Sequence, residues 1–427
     1  MISGRLGPLG EPVFRRYFAG QAVSHLGDRM TPVALAFAVL QLTGSATDLG
    51  IVVAAGTVPL AVLLLVGGVW ADRLDRRVVM LTTDAVRAAV QGLLAVLLLT
   101  GTAQVWHLAV LAAAAGAAQA FFEPAATGMV PQVVSTARLS QANALVGLSQ
   151  NAAMIVGPLL AGAIVATTSP GAAIAVDAVT FVVSAAFLLR LGAVAAEPAE
   201  RATFLTELAG GFREVSSRPW LAAMVGGFTV YHAVVLPAVL VLGPVTAERR
   251  YSGAATWAVV SSSFGIGAVL SAVVALRVRP RRPIVWCALL LIGGSLQPVF
   301  VGVGLPVAAI AVLIALSGAS ISVLFVIWDT TLARQVPRTA LSRVSSFDYF
   351  GSTVGMPVGF ALVGPASELW GLGPTMVGAS VIGVAWALGT AALPSVRRLR
   401  DGGPVDAEVP HTPHPPTDPS PAPASLA

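Results

Sequence analysis

Lysine is absent from this 427-residue sequence, cysteine occurs once, and charged residues make up only 11% of it. A soluble domain carries about 25% charged residues, so a chain this poor in charge needs lipid around much of its surface. The single cysteine, Cys287, excludes an internal disulfide, and its place inside an apolar run reads as packing. No phosphate-binding glycine loop, dinucleotide fingerprint or metal-ligand spacing of His and Cys occurs, so the sequence points to no enzyme, no cofactor and no metal. A net charge of +5 and a pI of about 10.3 would suggest nucleic acid for a soluble protein. Here the arginines stand between apolar runs, as topology determinants do, and no nucleic-acid partner is expected.

What is present is apolar. Hydrophobic types reach 56%, and the mean hydropathy is +0.83. Twelve runs are long enough to span a bilayer, which takes roughly 20 residues each: 17–41, 46–70, 78–100, 105–129, 141–167, 171–191, 220–244, 253–276, 283–303, 306–329, 344–366 and 373–393. The first run follows Arg15 and Arg16 without a small-residue cleavage site, so it is expected to be a full span and not a removed leader. Most loop arginines, from Arg73 to Arg400, fall on one side, and Arg249 and Arg250 on the other. The positive-inside rule then places both termini and the polar middle loop in the cytoplasm of a multi-pass plasma (inner) membrane protein.

A shift of 202 residues lays Leu139, Ser140, Gly157, Gly162 and Gly171 on Leu341, Ser342, Gly359, Gly364 and Gly373. The expected fold is therefore all-α, with twelve transmembrane helices in two pseudo-symmetric halves. Residues 1–191 and 219–394 form the halves, 192–218 the cytoplasmic middle loop, and 395–427 a disordered Pro-rich tail. Such paired halves bind substrate between them near the midplane.

Four stretches carry a family resemblance. After the second run comes Gly68-Val69-Trp70-Ala71-Asp72-Arg73-Leu74-Asp75-Arg76-Arg77, which resembles the signature loop of the major facilitator superfamily. It departs from that pattern in having Asp75 where glycine is usual, which adds an acceptor for the arginines. Gly157-Pro158-Leu159-Leu160-Ala161-Gly162 in the fifth run resembles the glycine–proline motif of the exporters of that superfamily, and Gly355-Met356-Pro357-Val358-Gly359 stands in the eleventh. Proline removes a backbone donor and glycine removes bulk, so these helices can bend and pack closely. Phe122-Glu123-Pro124-Ala125-Ala126 and Arg343-Val344-Ser345-Ser346 are similar to the drug:proton antiporter branch that includes macrolide and siderophore exporters. The resemblance implies the major facilitator fold, a charged latch at the signature loop, and proton-coupled export. One departure bears on coupling: the fourth run lacks the arginine that many of those antiporters carry there.

Ionisable residues inside spans are costly in lipid and point to function. Gln21, His25, Asp28 and Pro32 fall on one face of the first run, with Arg29 about 40° from His25. Proton exchange between His25 and Asp28 near the midplane, and an ion pair of Asp28 with Arg29 or another helix, both fit. His232, near the pseudo-equivalent position, and Asp177, expected nearer the outer face, are further proton-coupling candidates. Glu123, Asp329 and Asp348 are expected to pair with loop arginines such as Arg138, Arg334 and Arg343 as cytoplasmic gates, and Asp84 with Arg87, three residues on. The expected function is secondary active efflux of an amphipathic small molecule, exchanged for protons, with lipid as the surrounding solvent. Uptake of a nutrient or sugar, or a non-transporting scaffold or sensor, are the alternatives.

Overall fold

The computed structural model describes residues 7–191, 204–275 and 277–400, with the side chains of 64–73, 204–209, 338, 339 and 342 outside the described set. Among the described residues there is no strand. The first bundle comprises α1 (Pro12–Thr43), α2 (Ala46–Arg73), α3 (Arg76–Leu99), α4 (Val105–Val133), α5 (Leu139–Thr167) and α6 (Pro170–Leu189). After α7 (Phe204–Ser216) follow α8 (Pro219–Val230), α9 (Leu236–Arg250), α10 (Ala254–Ala275), α11 (Pro283–Ser295), α12 (Gln297–Gly302) and α13 (Val307–Gln335). The second bundle ends with α14 (Arg338–Thr353), α15 (Met356–Trp370), α16 (Leu372–Ala392) and the short α17 (Pro394–Arg398).

Helix ends follow local chemistry. Pro12 starts α1, where a missing N–H costs nothing, and Gly44 ends it in the left-handed conformation (φ 68°) with its N–H on the Leu40 carbonyl. The Ser169 hydroxyl accepts from Ala172 N–H ahead of Pro170 to begin α6. Asp75 caps α3 by accepting from the Arg77 backbone N–H at 2.8 Å. The acceptor expected for guanidinium groups is thus spent on a helix start.

Ten described helices are long and apolar enough to cross a membrane. The other two expected spans differ in kind. The 32-residue α1 carries Arg15, Arg16, Asp28 and Arg29, and the eleventh span is broken at Val354–Gly355 into α14 and α15. Pro357 therefore lies in the first turn of α15 and not inside a continuous bent helix. The seventh span holds a π turn, Tyr231–Val235, between α8 and α9, and the ninth breaks at Leu296. Part of the middle loop is helical: α7 lies on α14, where Gly211 leaves room for the Arg343 backbone and Phe347. The tail expected from 395 begins as α17, and 401–427 lie outside the described residues.

The repeat is built into the packing. Gly157 of α5 faces the Arg29 Cβ of α1, and its counterpart Gly359 of α15 faces the Ala233 carbonyl of the π turn. Gly162 faces Ala254 and Ala258 of α10, and its counterpart Gly364 faces Ala46 and Thr47 of α2. The bundles thus meet through α5–α10 and α2–α15. Contacts from mid-helix to the end opposite the signature loop hold this seam. Thr47 Oγ1 donates to Glu368 Oε1 at 2.7 Å, and Ser262 Oγ donates to the Ile155 carbonyl at 2.7 Å.

Candidate functional site

A cavity of about 530 Å³ lies between the bundles, walled chiefly by the first. Helix α1 supplies its longest stripe: Tyr17, Gln21, His25, Asp28 and Pro32, spaced three or four residues apart and so stacked on one face. Trp257 and Leu240 close it from the second bundle.

The charged centre is a bridge of three side chains across two helices. Arg87 of α3 donates to Asp84 one turn back at 2.6 Å and to Asp28 of α1 at 3.2 Å. Arg87 is 2% exposed, Asp84 0% and Asp28 23%, so one carboxylate is sealed and the other meets the cavity. The guanidinium carbon lies 4.0 Å from the Phe122 ring centroid (α4) and 4.2 Å from that of Phe181 (α6). Two aromatic faces stabilise a cation that water cannot reach. Asp177 of α6 belongs to the same wall: its Oδ2 accepts from Thr31 Oγ1 at 2.6 Å and Gln91 Nε2 at 2.8 Å. It is buried, and its partner Thr31 stands about one helical turn beyond Asp28 on α1.

Other expectations about these side chains are corrected. Of the two ion pairs expected for Asp28, the structure has the one with another helix, to Arg87, and not the one with Arg29. His25 does not bond Asp28; its Nδ1 lies 3.1 Å from Ser149 Oγ. That hydroxyl also lies 2.8 Å from the Val146 carbonyl. Arg29 is exposed and lines the cavity. His232 turns its Nδ1 to the Phe228 carbonyl at 2.9 Å, within its own helix, and is not part of the cavity wall. Hydrogen-bond partners expected from sequence spacing fail here because neighbouring helices offer closer ones.

The gate pair expected of Glu123 and Arg138 changes in the same way. Glu123 faces the cavity and accepts from Gln119 Nε2 at 2.8 Å, while Arg138 pairs with Glu11 at 3.5 Å. The Ser135 hydroxyl and the charge of Arg138 hold the Glu11 carboxyl below its ordinary 4.5. Asp348 accepts from Trp328 Nε1 at 2.8 Å and from Ser352, and Asp329 is exposed on α13. Of the signature loop, the side chains of Gly68, Asp72 and Arg73 lie outside the described set. Arg76 donates to the Gly128 carbonyl of α4 at 2.5 Å, and Arg77 to the Leu188 and Leu189 carbonyls that end α6, at 2.9 and 2.8 Å. Cations at a helix C-terminus are favoured by its partial negative charge, so these bonds tie the loop to its own bundle. The helix-packing motif is placed as expected, with Gly157, Pro158 and Gly162 buried in α5.

The sequence left the reach of Arg87 unseen. An i, i+3 acid–base pair explains itself locally, and nothing along α3 says that the same guanidinium spans to α1 and lies between two phenyl rings. A count held the signal: the cavity region carries four carboxylates, Asp28, Asp84, Asp177 and Glu123, against the guanidiniums of Arg29 and Arg87.

Membrane-spanning helices in two repeat-related bundles, with a charged cavity between them, define a multi-pass membrane transporter and not an enzyme. The chain belongs to the Major Facilitator Superfamily, whose family model matches residues 17–359. It is 29% identical over 412 residues to the multidrug efflux pump Tap of Mycolicibacterium fortuitum, covering 93% of this chain and 98% of that one. Macrolide efflux protein A of Streptococcus pyogenes is 28% identical over 171 residues, 40% of this chain and 42% of that protein. Among solved structures, the nucleoside transporter NupG superposes with a TM-score of 0.71 at 12% identity, over 89% of this chain and 98% of that one. A bacterial homologue of the iron transporter ferroportin, in an inward-facing state, gives 0.68 at 14% identity, over 90% and 99%. At such identities these two speak for the fold alone.

Proposed function

We propose that this protein exports an amphipathic small molecule across the plasma membrane in exchange for protons, by alternating access, with the signature-loop end and both termini in the cytoplasm. The observation that carries this reading is the Asp28–Arg87–Asp84 bridge in the cavity wall. Arg87 is held on its far side by Asp84 and two aromatic rings. When Asp28 takes a proton, the guanidinium keeps one carboxylate and both rings, so neutralising Asp28 leaves no bare buried cation. Asp28 is also the partner that meets the cavity, where a proton arrives through water. The resemblance to efflux pumps over nearly the whole chain supports the export direction. The arginine asymmetry supports the orientation. The seam at the end opposite the signature loop supports a cavity approached from the cytoplasm, with a changed Asp28–Arg87 contact biasing a two-state equilibrium.

The test uses everted membrane vesicles with an imposed pH gradient and a panel of toxic amphiphiles. The intact protein is expected to drive uphill accumulation of at least one of them. Asp28→Asn is expected to abolish accumulation while leaving exchange down a substrate gradient partly intact. Uphill transport at the unaltered rate in Asp28→Asn refutes the assignment of Asp28.

A further inference from the structure

Among the described residues that line the cavity, two buried polar atoms have no hydrogen-bond partner in the protein, Nε of Arg87 and Oε1 of Gln21, and only the second is an acceptor. The Nε2 of the same amide donates to Ser184 Oγ at 3.3 Å and leaves the oxygen over. An amide oxygen accepts, and a buried acceptor without a donor carries a desolvation penalty of roughly 1–3 kcal/mol until something donates to it. Tyr17 and His25 lie one turn to either side of Gln21 on α1, and both lie within electrostatic reach of Glu123. Glu123 is exposed in the same cavity and accepts a hydrogen bond from a neutral amide, that of Gln119. An acceptor lacking a donor therefore shares this part of the wall with a carboxylate that is not engaged in the Arg87 bridge. Leu35, Val53, Leu60, Leu240 and Trp257 line the rest of the cavity with apolar surface.

We propose that Gln21 and Glu123 form an amine subsite that selects a protonated amphipathic amine carrying an N–H, with its apolar body along Leu35, Val53, Leu60, Leu240 and Trp257. The inference rests on the efflux function proposed above and names its substrate class. Glu123 supplies the charge, and Gln21 reads the hydrogen. Gln21 is 2% exposed, and its oxygen accepts from an N–H and gains no hydrogen bond from a methyl group. The excess of carboxylates over guanidiniums in the wall favours a cation, and Arg29 is the group that an anionic ligand would use instead. The amine subsite is distinct from Asp28, which Arg87 already holds, so substrate and proton meet different carboxylates of one cavity.

The experiment measures binding to the purified full-length protein in detergent. Three probes share one tricyclic apolar body: a protonated dimethylamine, its trimethylammonium derivative, and an uncharged isopropyl analogue. The dimethylamine is expected to bind about tenfold more tightly than the trimethylammonium compound, the worth of one hydrogen bond to a charged donor. Glu123→Gln should weaken both cations about tenfold or more and leave the uncharged analogue unchanged, which also shows that the variant is folded. Gln21→Met should erase the difference between the two cations, with the uncharged analogue again as the folding control. Equal binding of the amine and the uncharged analogue to the unaltered protein overturns the subsite, as does tighter binding of the trimethylammonium compound. If the unaltered protein drives efflux in vesicles but shows either result, the subsite fails and the efflux function stands. If it moves no compound uphill, the efflux function itself fails.

Discussion

Adding a single methyl group at Gly50 should open the seam opposite the signature loop. Gly50 is buried in α2, and a Cβ there would run into the Phe360 carbonyl oxygen of α15, a backbone atom held within its own helix. Nothing flexible can yield, so Gly50→Ala should strain the closed seam by about 1–3 kcal/mol, the usual cost of overpacking. A conformation in which α2 and α15 part at this end escapes the strain. The ratio of parted to closed forms should then rise roughly 5- to 150-fold, at one decade per about 1.4 kcal/mol. Spin labels at Thr102→Cys and Val303→Cys, in exposed connections of opposite bundles at this end, read the change as a longer inter-label distance; Cys287→Ala removes the native thiol. Gly378→Ala in α16 is the control, because a Cβ there meets nothing within 4 Å. An unchanged distance distribution in Gly50→Ala, with the protein still monodisperse, refutes the reasoning.

Two smaller perturbations test helix ends. Asp75→Ala removes the cap of α3 and should cost about 1 kcal/mol, read as a lower melting temperature in detergent, with Asp75→Ser recovering most of it. Glu11 holds the Ser135 hydroxyl and amide with a carboxyl whose folded value is depressed below 4.5. Its contribution is therefore full above about 4.5 and fades as pH falls through the depressed folded value. Hydrogen exchange at the Ser135 amide should speed up on acidification beyond the intrinsic trend, and Glu11→Gln should remove the excess.

Span order, the repeat and the packing glycines were legible because each rests on a local rule: run length, a fixed offset, a missing side chain. Gly162 and Gly364 do equivalent work in the folded molecule, as their 202-residue spacing implied. The partners of the charged side chains were not legible. Arg138 chose Glu11 over Glu123, and His25 chose Ser149 over Asp28, because three-dimensional neighbours come from helices far away in the chain. The breaks at Leu296 and Val354–Gly355 and the π turn at Tyr231–Val235 were equally hidden, since hydropathy reads a broken span and a continuous one alike.

The scaffold follows the repeat and the charges do not. The offset that pairs the glycines carries Asp28, Asp84, Arg87 and Asp177 onto Val230, Trp286, Leu289 and Ala379. Among the described residues, every buried charged side chain, Asp84, Arg87 and Asp177, lies in the first bundle. The second bundle folds the same architecture with apolar residues at the matching positions, so the bridge is not something the fold requires. Removing Arg87 alone should still be costly, about 3–5 kcal/mol, because it leaves the sealed Asp84 carboxylate without its cation. Removing the whole bridge should not be. Asp28→Leu, Asp84→Leu and Arg87→Met together exchange three buried or half-buried charges for apolar groups of similar size, and such replacements are commonly neutral or stabilising. The triple variant is therefore expected to melt at or above the parent in detergent, well above Arg87→Met alone, while losing proton-driven accumulation in vesicles. A triple variant less stable than Arg87→Met would mean that the bridge holds the bundle together, and that its charges are there for the fold.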